Sequence, residues 1–338
     1  MRILRRAFDI TRAYRALWVF GILLAITAAH GGSNGGGGGG NGGNNQGNMP
    51  WPNFPPFQFP QIPGQVMNMM IGIGIGLICL IILLAVIFTI VRYVSNTALI
   101  GMVNQYEASG EKVNVGTGFR IGWSRAAFRT WLVSLLFGLA GFVVFVVLLL
   151  LAAAPLLLWL TRDNTAGAVG TVITIGLAVL FILLLVIAAA AVGLLVQFIQ
   201  RVIVIEGLGV FDGIRRAWDL VRRKPGDVII MGLILFGIGI GFAILMIPVV
   251  ILLLLAGGLL GGLPGLAAGG LTYLIFQHNI AWLIGLLVGL PLFLLVLIVP
   301  LTFIGGLYEV FTSSVWTLTY RELLALEAVS PAPAAPGL

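Results

Sequence analysis

Six long apolar segments dominate this sequence and restrict the folds open to it. With 60% hydrophobic and only 9% charged residues, the chain lacks the polar residues to cover a soluble globule of its size. The Leu, Ile and Val residues run continuously rather than alternating, which is typical of membrane helices and not of the strands of an outer-membrane barrel. The segments are 17–29, 66–91, 131–160, 172–199, 228–256 and 280–304.

Crossing a hydrocarbon core of about 30 Å takes roughly 20 helical residues. The last five segments meet this length, and the first is short. We therefore expect an all-α, polytopic helical membrane protein with about six transmembrane helices in three hairpins and with amphipathic helices on the cytoplasmic side. No segment has the composition of a soluble domain.

The basic residues predict how the chain is oriented. Of the 18 Lys and Arg residues, all but Arg162 fall in four stretches beside the apolar segments. An excess of Lys and Arg marks cytoplasmic loops, so both termini are expected on the cytoplasmic side of a bacterial inner membrane. The net charge of +7 then faces the anionic inner leaflet, whose lipids are the expected partners. Nucleic acid is rejected, because the cations adjoin the spans and alternate with acidic residues.

Three of the basic stretches also read as amphipathic helices that lie in the membrane interface. In 210–223 the apolar residues Phe211, Ile214, Trp218 and Val221 recur at helical spacing opposite the charges. The candidate contacts to lipid headgroups are Arg5, Arg12, Arg125, Arg129, Arg215, Arg216, Arg222 and Arg223.

The chain divides into four regions by composition. The first apolar segment is either retained or a cleaved signal peptide. Retention is favoured by the similarity between Arg-Ala-Tyr-Arg-Ala-Leu-Trp at 12–18 and Arg-Ala-Ala-Phe-Arg-Thr-Trp at 125–131, each of which leads directly into an apolar segment. The stretch 257–279 is rich in glycine and predicts an apolar surface loop, with a re-entrant loop as the alternative. The regions are 1–30, an amphipathic helix and first span; 31–65, a flexible outer loop, Gly/Asn-rich then Pro/aromatic-rich; 66–327, a membrane domain with five further spans and a C-terminal helix; and 328–338, a disordered Pro/Ala tail.

The residues that carry chemistry are sparse. No ionisable side chain lies within the six apolar segments, which disfavours ion-coupled transport. Cys79 is the single cysteine, and His30 and His278 both fall on the outer side, so we expect no metal, no cofactor and no activated nucleophile. Ser313 and Ser314 are expected to bond carbonyls of their own helix. If the chain were an enzyme, the polar groups to inspect would be Glu206, Glu309, Tyr320, Arg321 and Glu322.

Four stretches carry a resemblance to a known group. They are Arg-Tyr-Val-Ser-Asn at 92–96, Gly-Phe-Arg-Ile-Gly-Trp-Ser-Arg at 118–125, Glu-Gly-Leu-Gly at 206–209 leading into Ala-Trp-Asp-Leu at 217–220, and the closing 313–323. The chain resembles uncharacterised bacterial multi-span proteins related to the membrane domain attached to some glycerophosphodiester phosphodiesterases. The resemblance implies an all-helical membrane domain without established catalysis. The phosphodiesterase domain is absent, so no catalytic residue carries over.

These observations predict a non-enzymatic structural, lipid-associated or accessory component of the membrane. A channel or permease for a neutral or lipidic solute is the alternative, and a lipid-acting membrane enzyme is the third interpretation. A protein partner or a homo-oligomer stays open.

Overall fold

The computed structural model describes residues 2–28, 64–161, 164–276 and 281–329, and within these ranges the chain is helical, with no strand. This confirms the predicted all-α class. The α-helices are α1 (Arg2–Ala13), α2 (Ala16–Ala28), α3 (Gly64–Ser109), α4 (Val115–Gly122), α5 (Arg125–Ala153), α6 (Asn164–Arg201), α7 (Val210–Arg223), α8 (Pro225–Phe276) and α9 (Ala281–Val329). A 3₁₀ segment, Ala154–Thr161, follows α5, and a π-helical turn, Val202–Glu206, follows α6.

Five helices are long and apolar enough to cross a membrane: α3, α5, α6, α8 and α9. A sixth crossing is reached only if α1 and α2 are taken together, and these two helices meet at an angle of 98°. The predicted first span therefore corresponds to the short helix α2. The three-hairpin topology across a membrane stays a prediction. Residues 31–63 of the predicted outer loop 31–65 and residues 330–338 of the predicted tail 328–338 lie outside the described residues, whereas residues 64–65 and 328–329 are helical.

The loop predicted at 257–279 is wrong over most of its length, because α8 continues as a helix to Phe276. The glycines there serve helix packing instead of chain reversal. A Cβ built on Gly261 would lie 2.6 Å from the carbonyl oxygen of Gly289, and one on Gly265 would lie 2.8 Å from that of Gly285. Small residues let two helix backbones approach closely, so α8 and α9 form a long antiparallel pair.

A second close helix contact attaches α2 to α9. A Cβ on Gly21 would clash with the carbonyl oxygen of Gly306, and one on Gly306 would lie 2.7 Å from the backbone nitrogen of Ile22. Trp18 packs edge-on against Phe303 beside this contact, with ring centroids 5.8 Å apart. α9 is therefore the central helix of the fold, since it contacts α1, α2, α3, α6 and α8.

The buried core lies at one end of the bundle. We call this the charged end; it is formed by α1, α4, α7 and the adjoining ends of α3, α6 and α9. Phe198, Trp316 and Tyr320 belong to one hydrophobic cluster there, and Phe20 and Met102 belong to a second. Away from this end the helices expose Leu, Ile, Val and Phe side chains almost continuously, as expected of surfaces that face hydrocarbon.

Short helices precede three of the apolar ones: α1 leads into α2, α4 into α5, and α7 into α8. This order agrees with the repeated Arg-rich pattern in the sequence. α7 has the bounds predicted from its periodicity, Val210–Arg223.

Candidate functional site

Three helices meet at a layer of polar side chains near the charged end. The amide nitrogen of Asn96 on α3 donates to Oε1 of Gln200 on α6, at 3.0 Å. Nη2 of the adjacent Arg201 reaches the carbonyl oxygen of Ser313 on α9, at 3.4 Å. Nη1 of Arg201 donates within its own helix, to the carbonyl oxygen and Oε1 of Gln197, at 2.6 and 2.7 Å. These bonds tie α3, α6 and α9 together; we call residues 95–97, 200–201 and 312–314 the polar layer.

Arg201 is one of the basic residues whose positions beside the apolar segments predict the cytoplasmic side, but it does not lie in an exposed loop. It is the last residue of α6, and only 1% of its surface is exposed. No ion pair to Arg201 occurs within the described ranges, and its Nε has no hydrogen-bond partner there. The predicted absence of ionisable groups thus holds for the segments 172–199 and 280–304, but the helices continue beyond these segments and bury a cation.

The expectation for the two serines is also wrong. The hydroxyls of Ser313 and Ser314 are buried without a partner among the described residues. Thr317 and Thr319, in the same helix, do bond carbonyl oxygens one turn back, both at 2.8 Å. The serines therefore belong to the polar layer and differ from the ordinary threonines beside them.

A network of charged side chains joins α6, α7 and α9 next to this layer. The hydroxyl of Tyr320 donates to Oε1 of Glu206, and Arg216 lies 3.6 Å from the other oxygen of that carboxylate. Arg216 also donates through two nitrogens to both oxygens of Glu327, at 3.0 and 2.7 Å, and Arg223 donates to the same carboxylate at 3.1 Å. Its hydrogen bond to Glu327 raises the pKa of Arg216 above the ordinary arginine value.

The π-helical turn positions Glu206 for this network. Turns of this type are rare, and they often occur at functional sites. The turn ends at Gly207, whose φ of 70° is in the left-handed region that glycine adopts at little cost. The free carbonyl oxygens of Gly207 and Leu208 accept hydrogen bonds from Nη1 of Arg129, at 2.7 and 3.1 Å. These contacts fix the chain where it leaves α6 for α7.

α7 presents three separate faces, where the sequence predicted two. Gly213, Ala217 and Leu220 form the buried face, and Arg216 and Arg223 form the edge that pairs with Glu327. The opposite face carries Phe211, Arg215, Trp218 and Arg222, at positions one turn apart. We call these four residues the aromatic-basic stripe. Phe211 and Trp218 were expected on one apolar face with Ile214 and Val221, but only the latter two pack against the core.

The predicted lipid contacts divide into two groups. Arg129, Arg216 and Arg223 have hydrogen-bond partners within the protein. In the parts of the chain that the structure describes, the others have no hydrogen bond or ion pair: Arg5, Arg12, Arg125, Arg215 and Arg222. The role of all eight as lipid contacts stays a prediction.

The five polar residues that the sequence offered as candidates for an enzyme site do not converge in the structure. Glu206 and Tyr320 are bonded to each other, whereas Arg321 donates to the carbonyl oxygen and Oδ1 of Asn104, both at 2.9 Å. Glu309 is half-buried and Glu322 is exposed. No group of three metal-ligating side chains occurs within the described residues, and His30 and His278 lie outside them.

The sequence was also compared with known proteins. It matches a family of unknown function, DUF7544, over residues 2–332. The chain belongs to this family. No curated protein and no solved structure matches it.

In this DUF7544 member, sequence reasoning missed the polar layer. A signal for it was present: the amides Asn96, Gln197 and Gln200 lie near the ends of long apolar segments, each within four residues of Arg92 or Arg201. Amides at such positions form hydrogen bonds between helices when they are buried. The topology signal of the neighbouring arginines hid this pattern, because Arg201 was counted with the loop cations.

Proposed function

We propose that this protein is a non-enzymatic, lipid-associated accessory component of the bacterial cytoplasmic membrane, with both termini in the cytoplasm. The observation that carries the proposal is the aromatic-basic stripe of α7. Its side chains point away from the protein: Phe211 is 76% exposed and Trp218 is 53% exposed. Arg215 and Arg222 lie on the same face, each four residues after one of these aromatic side chains.

The chemistry of the stripe fits an anionic lipid surface. Trp and Phe prefer the headgroup region, and each Lys or Arg near an anionic leaflet adds about 1 kcal/mol of attraction. Arg215 and Arg222 have no partner in the described part of the protein, so their charges are available to headgroup phosphates. Arg216 and Arg223 are held by Glu327, and this pairing keeps the helix turned with its stripe outward.

The beginning of α8 supports this placement. The exposed apolar surface of α8 starts at Ile229 and Ile230, about one turn after the helix begins at Pro225. α7 ends at Arg223, two residues before Pro225. The stripe therefore adjoins the surface that would enter hydrocarbon, which is the position of an interfacial helix.

Two other parts of the charged end have the same character. On α1, Phe8 is exposed and lies one turn from Arg5 and Arg12. Between α4 and α5, the exposed Trp123 adjoins Arg125, which is also without a partner in the ranges described. We infer that these sites contact the same leaflet as α7.

The packing of α8 on α9 favours a scaffold over a permease. The two helices touch backbone to backbone along Gly261, Gly265 and Gly289, which closes the space between them. The relationship to the membrane domain of glycerophosphodiester phosphodiesterases stays a prediction that rests on the stretches at 92–96, 118–125, 206–209 with 217–220, and 313–323. It agrees with a membrane role without catalysis of its own.

The proposal is tested by lipid retention in mild detergent. The protein is purified from membranes that contain phosphatidylglycerol and phosphatidylethanolamine, and the lipids bound per protein are counted by mass spectrometry. Removing both free charges of the stripe with Arg215→Gln and Arg222→Gln is expected to lower bound phosphatidylglycerol several-fold, since the two charges together contribute about 2 kcal/mol. Phosphatidylethanolamine should change little.

Arg223→Gln is the matched control, because it removes the same charge from the same helix but at a side chain already paired with Glu327. We expect its phosphatidylglycerol count to stay near that of the parent protein. Equal loss in the control and the stripe variants would contradict the role of the stripe. Solute uptake by vesicles reconstituted with the pure protein would contradict the non-transport assignment.

A further inference from the structure

We propose that the polar layer binds one small monovalent inorganic anion, of the size of chloride, beside Arg201. This inference does not depend on the proposed lipid association, because Arg201 is buried in the bundle and the aromatic-basic stripe is on its surface. Six buried polar atoms of the layer have no partner in the described structure: Ser95 Oγ, Thr97 Oγ1, Arg201 Nε, Thr312 Oγ1, Ser313 Oγ and Ser314 Oγ.

These six atoms belong to a few consecutive residues of three helices. Asn96 and Gln200 are in direct contact, and so are Arg201 and Ser313. The other unpartnered atoms belong to neighbours of these residues in sequence. The only further buried atom of this kind in the described ranges is Thr174 Oγ1, which lies far along α6. Native structures leave few such atoms, so the occurrence of six within a few residues of the contacts between α3, α6 and α9 indicates a missing partner there. Neighbouring residues of one helix point in different directions, so only some of the six atoms face Arg201.

The unpartnered atoms indicate the class of ligand. Arg201 Nε–H is a donor that cannot accept, and each hydroxyl can donate one hydrogen bond. A ligand that accepts hydrogen bonds and carries negative charge satisfies the Nε–H donor of Arg201 and those hydroxyls that face it, and it also compensates the charge of the buried guanidinium. An anion provides both, whereas a cation would face repulsion from Arg201.

The buried positive charge of Arg201 also favours a bound anion. Burying a cation without a counter-charge is costly, and the nearest hydrogen-bond partners of Arg201 are neutral: an amide and two carbonyl oxygens. The end of α6 offers the negative end of its helix dipole, which compensates only a fraction of one charge. A bound anion supplies the remaining compensation.

The burial of the layer limits the size of the ligand. Arg201 is 1% exposed, and Ser95 and Ser314 are fully buried. A lipid phosphate with its glycerol backbone does not fit such an enclosed position, but a halide needs only the space of about one water molecule. Chloride is therefore the probe we choose.

The test is the chloride dependence of thermal stability. Purified protein in detergent is melted in a chloride series that is balanced with gluconate to constant ionic strength. A ligand that binds only the folded state raises its melting temperature, so we expect Tm to rise by roughly 2–4 °C between zero and 150 mM chloride. Arg201→Gln should abolish the rise. Arg120→Gln, which removes an exposed cation of α4 that belongs neither to the polar layer nor to the aromatic-basic stripe, should keep it.

A parent protein with the same Tm in chloride and gluconate would overturn the proposal, and so would an unchanged chloride response in Arg201→Gln. If Arg201→Gln does not fold, Ser313→Ala replaces it. That variant keeps the carbonyl that contacts Arg201 and removes only the hydroxyl, and it should raise the half-saturating chloride concentration at least threefold. An unchanged concentration would overturn the proposal.

Discussion

Gly261→Leu is expected to destabilise the packing of α8 on α9 by about 3 kcal/mol, the upper end of the usual cost of overpacking. A side chain at this position meets backbone atoms on two sides: the carbonyl oxygen of Gly289 at 2.6 Å and the nitrogen of Phe293 at 2.7 Å from the Cβ. Backbone of a packed helix cannot move aside as a flexible side chain can. Thermal unfolding of the purified protein in detergent measures the loss.

Gly262→Leu is the matched control, one residue away. A Cβ at Gly262 has nothing within 4 Å, so its leucine points into open space. Because leucine is a better helix former than glycine, we expect this variant to be as stable as the parent or slightly more stable. Equal destabilisation by the two variants would show that α8 and α9 do not pack through Gly261.

Tyr320→Phe is expected to lower the free energy of unfolding by about 2 kcal/mol, since hydrogen bonds to charged groups are worth roughly 1.5–3 kcal/mol. Tyr320 is fully buried, and its hydroxyl donates to the carboxylate of Glu206. The loss would also loosen the start of α7, because Glu206 contacts Arg216. Unfolding measured together with hydrogen exchange of the α7 amides would detect both effects.

Tyr308→Phe provides the comparison on the same helix. Tyr308 stacks on Phe242 with ring centroids 4.2 Å apart, and phenylalanine keeps this contact. Its hydroxyl makes no hydrogen bond within the described residues, so we expect a change below about 0.5 kcal/mol. If Tyr308→Phe cost as much as Tyr320→Phe, the bond to Glu206 would not be the source of the effect.

Much of the fold follows from hydropathy, and α7 shows why. Its alternating charged and apolar residues have the period of a helix, and the helix begins and ends at the predicted residues, Val210 and Arg223. Periodicity does not say which neighbour covers which apolar side chain. Phe211 and Trp218 are as apolar as Ile214 and Val221, yet only the last two pack inward, because α6, α8 and α9 lie on that side.

The glycines of α8 show where prediction from the local sequence fails. In soluble chains, glycine at the frequency found in 257–270 indicates a loop, because glycine is a poor helix former. In this chain the same residues allow the backbone contact with α9, and the stabilisation comes from a partner helix distant in sequence. A local pattern cannot distinguish these two uses.

The polar layer could not be predicted from the sequence, because it too depends on contacts between helices that are distant in sequence. Arg201 looks like any basic residue at the end of an apolar segment. Its burial depends on α3 and α9, which lie about a hundred residues away on either side. The statistical rule for loop cations applies to exposed residues such as Arg222 and does not describe an arginine enclosed by other helices.

The proposed function depends on the predicted orientation of the helices in the membrane, and cysteine labelling tests this orientation most directly. In a Cys79→Ser background, single cysteines at Lys112, Arg222 and His278 are exposed in intact cells to a maleimide that cannot cross the membrane. We expect His278→Cys to be labelled in intact cells, and Lys112→Cys and Arg222→Cys only after the membrane is permeabilised. Labelling of Lys112→Cys or Arg222→Cys in intact cells would contradict the arrangement.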